Sequence, residues 1–266
     1  MKREDVLTKL KLLQEKLARR PVKRDSPYLY LLSRKYYGSW NKLMIEAGYQ
    51  CKEIQNPSIP PNLDNKLSYL LGLLSTDGHI QAIKDKGFYR TMIYTSEREE
   101  VEIISRLINE IFKYHVSVRG RKTGFSKRLN YEINIYSKKV ALFLNSLGIP
   151  FGAKSYTIKV PEILIDKNEN LFWHYLRGVF DGDGSIIFSE SNTSFKISSG
   201  SVNFLNGLKE ITNSQGFNLR VSKQDQNVWI LRTNIKKDIA RLYSLIYKDA
   251  LFFYPRKKEK WSKHHI

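Results

Sequence analysis

At 266 residues, 41% of them hydrophobic, the chain is long enough to bury a sizeable core as one large domain or as two smaller ones with an appendage. Its 45 Lys and Arg against 26 Asp and Glu leave a formal net charge of +19, which suits a polyanion binder. The single cysteine, Cys51, excludes a disulfide framework or a zinc–cysteine centre within one chain, and no apolar run could serve as a signal-peptide core or span a bilayer.

A soluble, intracellular protein of the cytoplasm, nucleoid or an organelle is therefore expected. Its partner is expected to be nucleic acid and not a membrane, because the basic residues are spread through folded-looking segments instead of forming one juxtamembrane cluster.

In residues 3–19, Val6, Leu7, Leu10, Leu13 and Leu17 recur at helical spacing among charged residues and predict a short amphipathic helix. RPVKRDSPY breaks it. A second helical stretch, LYLLSRKYYGSW, leads through Gly38 into NKLMIEAGY, which ends at Gly48 as a C-terminal cap. Residues 1–51 thus read as a small helical module, and the proline- and asparagine-rich QNPSIPPNLDN places a linker over 52–65.

From Lys66 onward the order of elements repeats. Helix LSYLLGLLSTDG, strands HIQAI and YRTMIYTS, helix EREEVEIISRLINEIF, strands HVSVRGR and NYEINIYS, and helix KKVALFLNSLG form one αββαββα series. The second runs LFWHYLRGVFDGDG, SIIFSE, SFKISSG, VNFLNGLKEITNSQG, NLRVSKQ, VWILRTN and KKDIARLYSLIY. The reading is an α+β protein built from tandem units, 66–160 and 161–266, each with antiparallel strands, packed about a pseudo-twofold axis as a C₂ dimer would be.

Each unit opens with an apolar helix that ends in Asp-Gly. If the two helices pack in parallel, Gly72 and Gly178 let their backbones approach, with Leu70, Leu73, Leu74, Leu176, Val179 and Phe180 around them. Gly78 and Gly184 are expected to take positive φ and turn the chain into the first strand. Asp77 and Asp183 would then lie side by side at helix C-termini, where both the macrodipole and their mutual repulsion oppose negative charge. A shared divalent cation offsets this, and oxygen-only ligation open to phosphate and water suits Mg²⁺, with Mn²⁺ able to substitute.

LLGLLSTDG and LRGVFDGDG resemble the nine-residue signature of the LAGLIDADG homing endonucleases, in their single-chain form with two motifs. The resemblance covers about residues 66–260 and includes the αββαββα repeat. It implies a monomeric, metal-dependent enzyme that cuts double-stranded DNA across the minor groove and leaves short 3′ overhangs. In that family the eighth-position carboxylates, matched here by Asp77 and Asp183, bind the metal, each beside one DNA strand. The family often places a lysine just after the last helix of each unit, matched here by Lys154 and, with Arg256 and Lys258 competing, Lys257. The sixth position is Asp181 in one motif but Ser75 in the other, which argues against a catalytic role and leaves Asp181 a capping or supporting one.

Strands can enter a major groove as ribbons. The candidate DNA-contacting residues are Gln81, Lys84, Tyr89, Arg90, Arg119, Arg121 and Lys122 in the first unit, with Lys196, Arg220, Lys223, Gln224, Gln226 and Arg232 in the second. Because these differ between halves, the target is expected to be long and asymmetric, and cleavage at two nearby metals favours a bent site.

RPVKRDSPYLYLLSRKYYGSWNKLMIEAGY resembles the homing-endonuclease-associated helical repeat, a helix-turn-helix-like module. Arg19, Arg20, Lys23, Arg24, Arg34 and Lys35 could then contact phosphates, the other reading being a helical cap on the core.

An RNA-binding maturase acting on intron RNA and a DNA-binding regulator remain alternatives on the same fold. An intein is not expected, since the chain starts MKRED and ends KHHI. Phosphate-loop and HExxH motifs are absent, and the five histidines form no metal-ligand spacing.

Overall fold

Small polar residues and glycines set the helix limits of the amino-terminal segment. The computed structural model describes residues 2–51, 55–122, 129–165, 169–188 and 193–262, and its backbone divides into two units, Met1–Gln55 and Asn56–Ile266. In the first, helix α1 (Arg3–Leu17) is followed by a 3₁₀ turn at Lys23–Asp25, α2 (Pro27–Tyr37) and α3 (Trp40–Glu46). Ser26 Oγ accepts from Leu29 N at 3.1 Å ahead of Pro27, and Ser39 Oγ accepts from Lys42 N at 3.2 Å, so each short helix begins on a side-chain cap. Gly48, at φ +85°, closes α3 as expected. Val6, Leu10, Leu29, Leu32, Tyr37, Trp40, Leu43 and Met44 form this unit's own core.

The second unit carries the repeated order. Helix α4 (Asn65–Thr76), strands β1 (Gly78–Ile83) and β2 (Phe88–Thr95), helix α5 (Arg98–Phe112), strands β3 (Ser117–Lys122) and β4 (Leu129–Ile135), and helix α6 (Lys138–Ser146) make one half. The other half is α7 (Glu169–Asp183), β5 (Gly184–Phe188), β6 (Thr193–Ser199), α8 (Val202–Ser214), β7 (Arg220–Asp225), β8 (Val228–Thr233) and α9 (Lys236–Tyr247). A further helix, α10 (Pro255–Ser262), was not expected from the sequence. Both sheets are antiparallel and four-stranded, in the equivalent orders β1-β2-β4-β3 and β5-β6-β8-β7. Among the described residues, no helix is long and apolar enough to cross a membrane.

One continuous hydrophobic core joins the halves through α4 and α7. A Cβ on Gly72 would overlap the Tyr175 carbonyl oxygen and lie 2.8 Å from Gly178 Cα; one on Gly178 would overlap the Tyr69 carbonyl oxygen and lie 3.0 Å from Gly72 Cα. The two glycines therefore meet backbone to backbone. At the helix ends the expectation is corrected: neither Gly78 nor Gly184 is among the positive-φ glycines. They are needed because the strand folds back tightly on its helix, so that a Cβ would fall 2.5 Å from Leu74 Cα or from the Phe180 carbonyl oxygen.

Gly72→Ala must push α4 and α7 apart along a rigid contact. Its unfolding free energy in urea should fall by about 3 kcal/mol, the upper range for overpacking, and an unchanged midpoint would show that the backbones do not meet.

Candidate active centre at the joined helix ends

The close approach of α4 and α7 carries through to their last residues. A Cβ on Gly182 would overlap Thr76 Oγ1 and lie 2.8 Å from Asp77 Oδ2, so the seventh residues of the two motifs face each other, and one must be small because the other is threonine. Asp77 is half-buried, and burial followed by repulsion from Asp183 raises its carboxyl to about 7, against the pull of Lys154 and Lys257. Asp183 reaches solvent at the mouth of the site, yet enough protein is packed around it that desolvation raises its pKa as well, again opposed by the two lysines.

Both lysines lie on straps that follow the last helix of each half. After α6, Phe151 forms a parallel bridge with Ile80 and Gly152 N donates to the Ile80 carbonyl at 2.8 Å, so the strap runs along the edge of β1. Lys154 Nζ then donates to the Thr76 carbonyl at 2.6 Å. In the other half Lys257, on α10, donates to the Gly182 carbonyl at 3.4 Å and to the Gly184 carbonyl. Each lysine thus holds the carbonyl of its own motif's seventh residue. Burial lowers the pKa of both, Arg256 lowers Lys257 further, and the acids partly restore both. His79, half-buried on β1, is also held below its ordinary value, by burial and then by Lys154 and Arg90.

Among the described residues no three His, Cys, Asp or Glu side chains cluster as a metal site. The protein offers two carboxylates, with main-chain carbonyls already partnered by lysine, and leaves other positions to water and phosphate. Two repelling, oxygen-only ligands fit a hard divalent cation and do not fit zinc.

Asp181 sits apart from this chemistry. It is fully buried and accepts hydrogen bonds from Tyr69 Oη at 2.7 Å, Tyr247 Oη at 2.6 Å and Tyr254 N at 2.9 Å. Burial raises it to about 6 despite these donors and the Arg177 charge. Its counterpart Ser75 bonds the Tyr175 hydroxyl at 3.0 Å and the Leu71 carbonyl at 2.8 Å. The tyrosine preceding each motif therefore bonds the sixth residue of the other. Arg177, 2% exposed with Nη1 on the Ile246 carbonyl at 2.8 Å, is a buried cation that the sequence reading did not single out.

The candidate DNA-contacting residues divide by strand parity. Ile80, Ile93, Ile133 and Ile135 face the core, which puts Gln81, its cross-strand partner Arg90, and Arg119 on the outer face. Tyr89 points inward, its ring 6.3 Å from Phe151, and Lys122 has the opposite parity to Arg119. Arg90 is engaged by Glu132 at 3.2 Å. Lys84 is exposed in the turn after β1, while the Arg121 side chain lies outside the described residues.

On the second sheet Lys196, Arg232 and Arg220 are successive cross-strand partners, a lateral row of three cations on the outer face. Arg220 and Arg232 line a cavity of about 320 Å³ with Asn218 and Asn234. Like charges placed opposite each other destabilise a sheet unless an anion joins them. Lys223 Nζ lies over the Trp229 ring at 6.0 Å, Gln224 sits at a register shift, and Gln226 is in the β7–β8 turn. In the amino-terminal unit Arg34 and Lys35 are exposed on α2, whereas Arg19 is held by Asp25 through two 2.8 Å bonds.

The chain belongs to the LAGLIDADG-like domain family, whose model matches residues 64–148 and 174–247. The tRNA-splicing ligase RtcB of Methanocaldococcus jannaschii is 29% identical over 146 residues, covering 48% of this chain and 15% of that protein. The chain spans between 10% and 53% of the length of the curated relatives it matches. Among solved structures, the homing endonuclease I-DmoI in complex with DNA and Ca superposes with a TM-score of 0.55 at 17% identity, covering 75% of this chain and 98% of that one. The homing endonuclease I-WcaI bound to its DNA recognition sequence gives 0.55 at 16%, covering 74% and 85%. At such identities the likeness establishes the shared fold.

Asp181→Ala would strand two tyrosine hydroxyls and an amide in the core and should cost about 3 kcal/mol in urea unfolding, with Asp181→Asn costing less. Asp77→Asn should act in the opposite sense. Its folded-state pKa lies above the unfolded value, so without metal the wild type loses stability as pH rises from about 4 to about 7. In EDTA near pH 8 the Asn variant should therefore be more stable by about 1–2 kcal/mol, with the advantage shrinking toward pH 5. A pH-independent difference would remove the electrostatic explanation.

Proposed function

We propose that the chain is a site-specific double-stranded DNA endonuclease of the homing type. It would act as a monomer on a long asymmetric target and hydrolyse one phosphodiester in each strand to leave 3′ overhangs. The observation that carries this reading is the pair Asp77 and Asp183, destabilised as anions, flanked by Lys154 and Lys257 at the junction of two sheet-bearing halves.

Asp77 and Asp183 are the residues that would hold Mg²⁺, or Mn²⁺ in its place. A bound divalent cation supplies Lewis-acid stabilisation of the attacking and leaving oxygens. Lys154 Nζ and Lys257 Nζ, fixed by main-chain carbonyls, keep positive charge beside the reacting phosphate and orient water there. Their lowered pKa values also ease release of a proton from Nζ. Gln81, Arg90 and Arg119 on one sheet, and the Lys196–Arg232–Arg220 row on the other, would follow the groove on either side of the cut. Exposed Arg34 and Lys35 would extend phosphate contact beyond the core.

An in-vitro cleavage selection on a randomised duplex library with Mg²⁺ tests this. The wild type should enrich one asymmetric site with staggered ends, while Asp77→Asn and Asp183→Asn should bind that site yet cut it at least about 100-fold more slowly. No cleavage by the wild type, together with tight binding of structured intron RNA, would replace the nuclease by a maturase.

A further inference from the structure

Lys257 reaches its motif carbonyls on a segment that is tied down on both sides. Tyr254 N is held by Asp181 at 2.9 Å, and Trp261, 1% exposed, packs 4.9 Å from the Phe180 ring. Between them, Arg256 Nε donates to Glu100 Oε1 at 2.6 Å. Glu100 belongs to the first turn of α5, in the other half of the pseudo-dimer, and its side chain is 2% exposed against 47% for Arg256. Its second oxygen accepts from Thr95 Oγ1, and Thr95 Oγ1 accepts in turn from Glu97 N at 3.2 Å. The carboxylate is therefore held by Thr95 as well as by the arginine. A buried anion this close to the acid pair is costly unless it is paired, and Glu100 adds to the repulsion felt by Asp77.

The opposite strap crosses over in the same way but without charge. The Lys154 segment passes the turn between β6 and α8, where a Cβ on Gly200 would come 2.8 Å from the Ser155 carbonyl oxygen and Ser201 Oγ donates to the Ile158 carbonyl at 2.8 Å. Counting from the strand ends Thr95 and Ser199, the place of Glu100 is taken by the buried Phe204. Counting from the lysines, the place of Arg256 is taken by Ala153. One lysine strap is held by an ion pair between halves and the other by packing and a neutral hydrogen bond.

We propose that Glu100 and Arg256 form a latch across the pseudo-twofold interface that positions Lys257, and that its presence on one side makes the two strands unequal in their dependence on it. The inference about strands rests on the endonuclease reading; the inference about Lys257 does not. Glu100 and Arg256 are positioning residues, acting through the lysine.

Two readouts on the intact chain test it, with Glu100→Gln as the near-isosteric variant and Arg256→Gln as the second. The first is acetylation by limiting acetic anhydride, quantified peptide by peptide, with Lys154 as internal reference. Labelling of Lys257 should rise severalfold in both variants while Lys154 is unchanged. The second is strand-resolved cleavage of the selected duplex, where one strand should slow by about tenfold or more, as expected for a misplaced catalytic group, so that nicked duplex accumulates. The double variant should be no worse than either single one.

Unchanged Lys257 labelling overturns the latch. So does equal slowing of both strands with a lowered unfolding midpoint, which would mark a purely structural contact. If the wild type cuts no duplex but Lys257 labelling responds as expected, the endonuclease reading fails and the latch on Lys257 stands.

Discussion

The backbone contact between Gly72 and Gly178 is the constraint on which the rest of the second unit depends. With no Cβ on either residue, the helices cross at a separation that brings the Tyr69 and Tyr175 carbonyls against the facing chain. Larger residues would move the axes apart by an appreciable part of the 8–10 Å typical of packed helices. The helix ends a turn and a half further on would separate with them. The nearness of Asp77 to Asp183, and the meeting of Thr76 with Gly182, follow from that contact together with the helical rise. So does the placing of one sheet on either side of the junction.

Pseudo-symmetry in a single chain permits pairings that a true twofold axis forbids. In a homodimer the seventh motif residue would face a copy of itself, giving a clash if it were threonine or a gap if it were glycine. Here Thr76 faces Gly182. The sixth position shows the same freedom. Asp181 gathers three donors, including the Tyr254 amide at the start of the Lys257 segment, while Ser75 satisfies only the Tyr175 hydroxyl and a carbonyl. A second aspartate in place of Ser75 would add another buried charge to an interface that already contains Asp181, Arg177 and Glu100. Serine at position 75 thus avoids a further buried charge, and Asp181 is engaged by hydrogen bonds within the core.

The sequence made the repeat legible because strand alternation and helix periodicity agree with position in both halves, as in YRTMIYTS and EREEVEIISRLINEIF, which became β2 and α5 within a residue or two. That Asp77 and Asp183 meet, with Lys154 and Lys257 beside them, could be anticipated from the signature for the acids and, for the lysines, from the family's habit of a lysine after the last helix of each unit. Other features were hidden by their chemistry. Helix α10 has a charged sequence, PRKKEKW, whose cues are Pro255 at its first position and a single buried Trp261. The Glu100–Arg256 pair joins residues 156 apart, which no local pattern can connect. Which of two neighbouring strand residues faces outward is not legible from polarity alone: Tyr89 turns inward onto Phe151 while Arg90, paired with Gln81, turns outward. Gly78 and Gly184 looked like positive-φ caps because Asp-Gly usually marks a turn, but here the missing Cβ matters and not the sign of φ.

The centre is electrostatically strained, because Asp77 is half-buried, protein packed around both carboxylates disfavours their charge, and Asp77 feels the repulsion of Asp183, while the whole chain carries a net charge of +19. Lys154 and Lys257 relieve only part of this, since burial lowers their own affinity for protons. Such an arrangement persists when the frame around it is stiff. That frame is the glycine contact, the Asp181 tyrosine cage, and two straps anchored in the opposite half. On the proposed endonuclease reading, a cation placed between the acids and a polyanion laid over the basic sheets would each remove a repulsion that the other would increase if bound alone. Binding of the two ligands is therefore expected to be mutually favourable, and this coupling arises from the charge distribution without any change of fold.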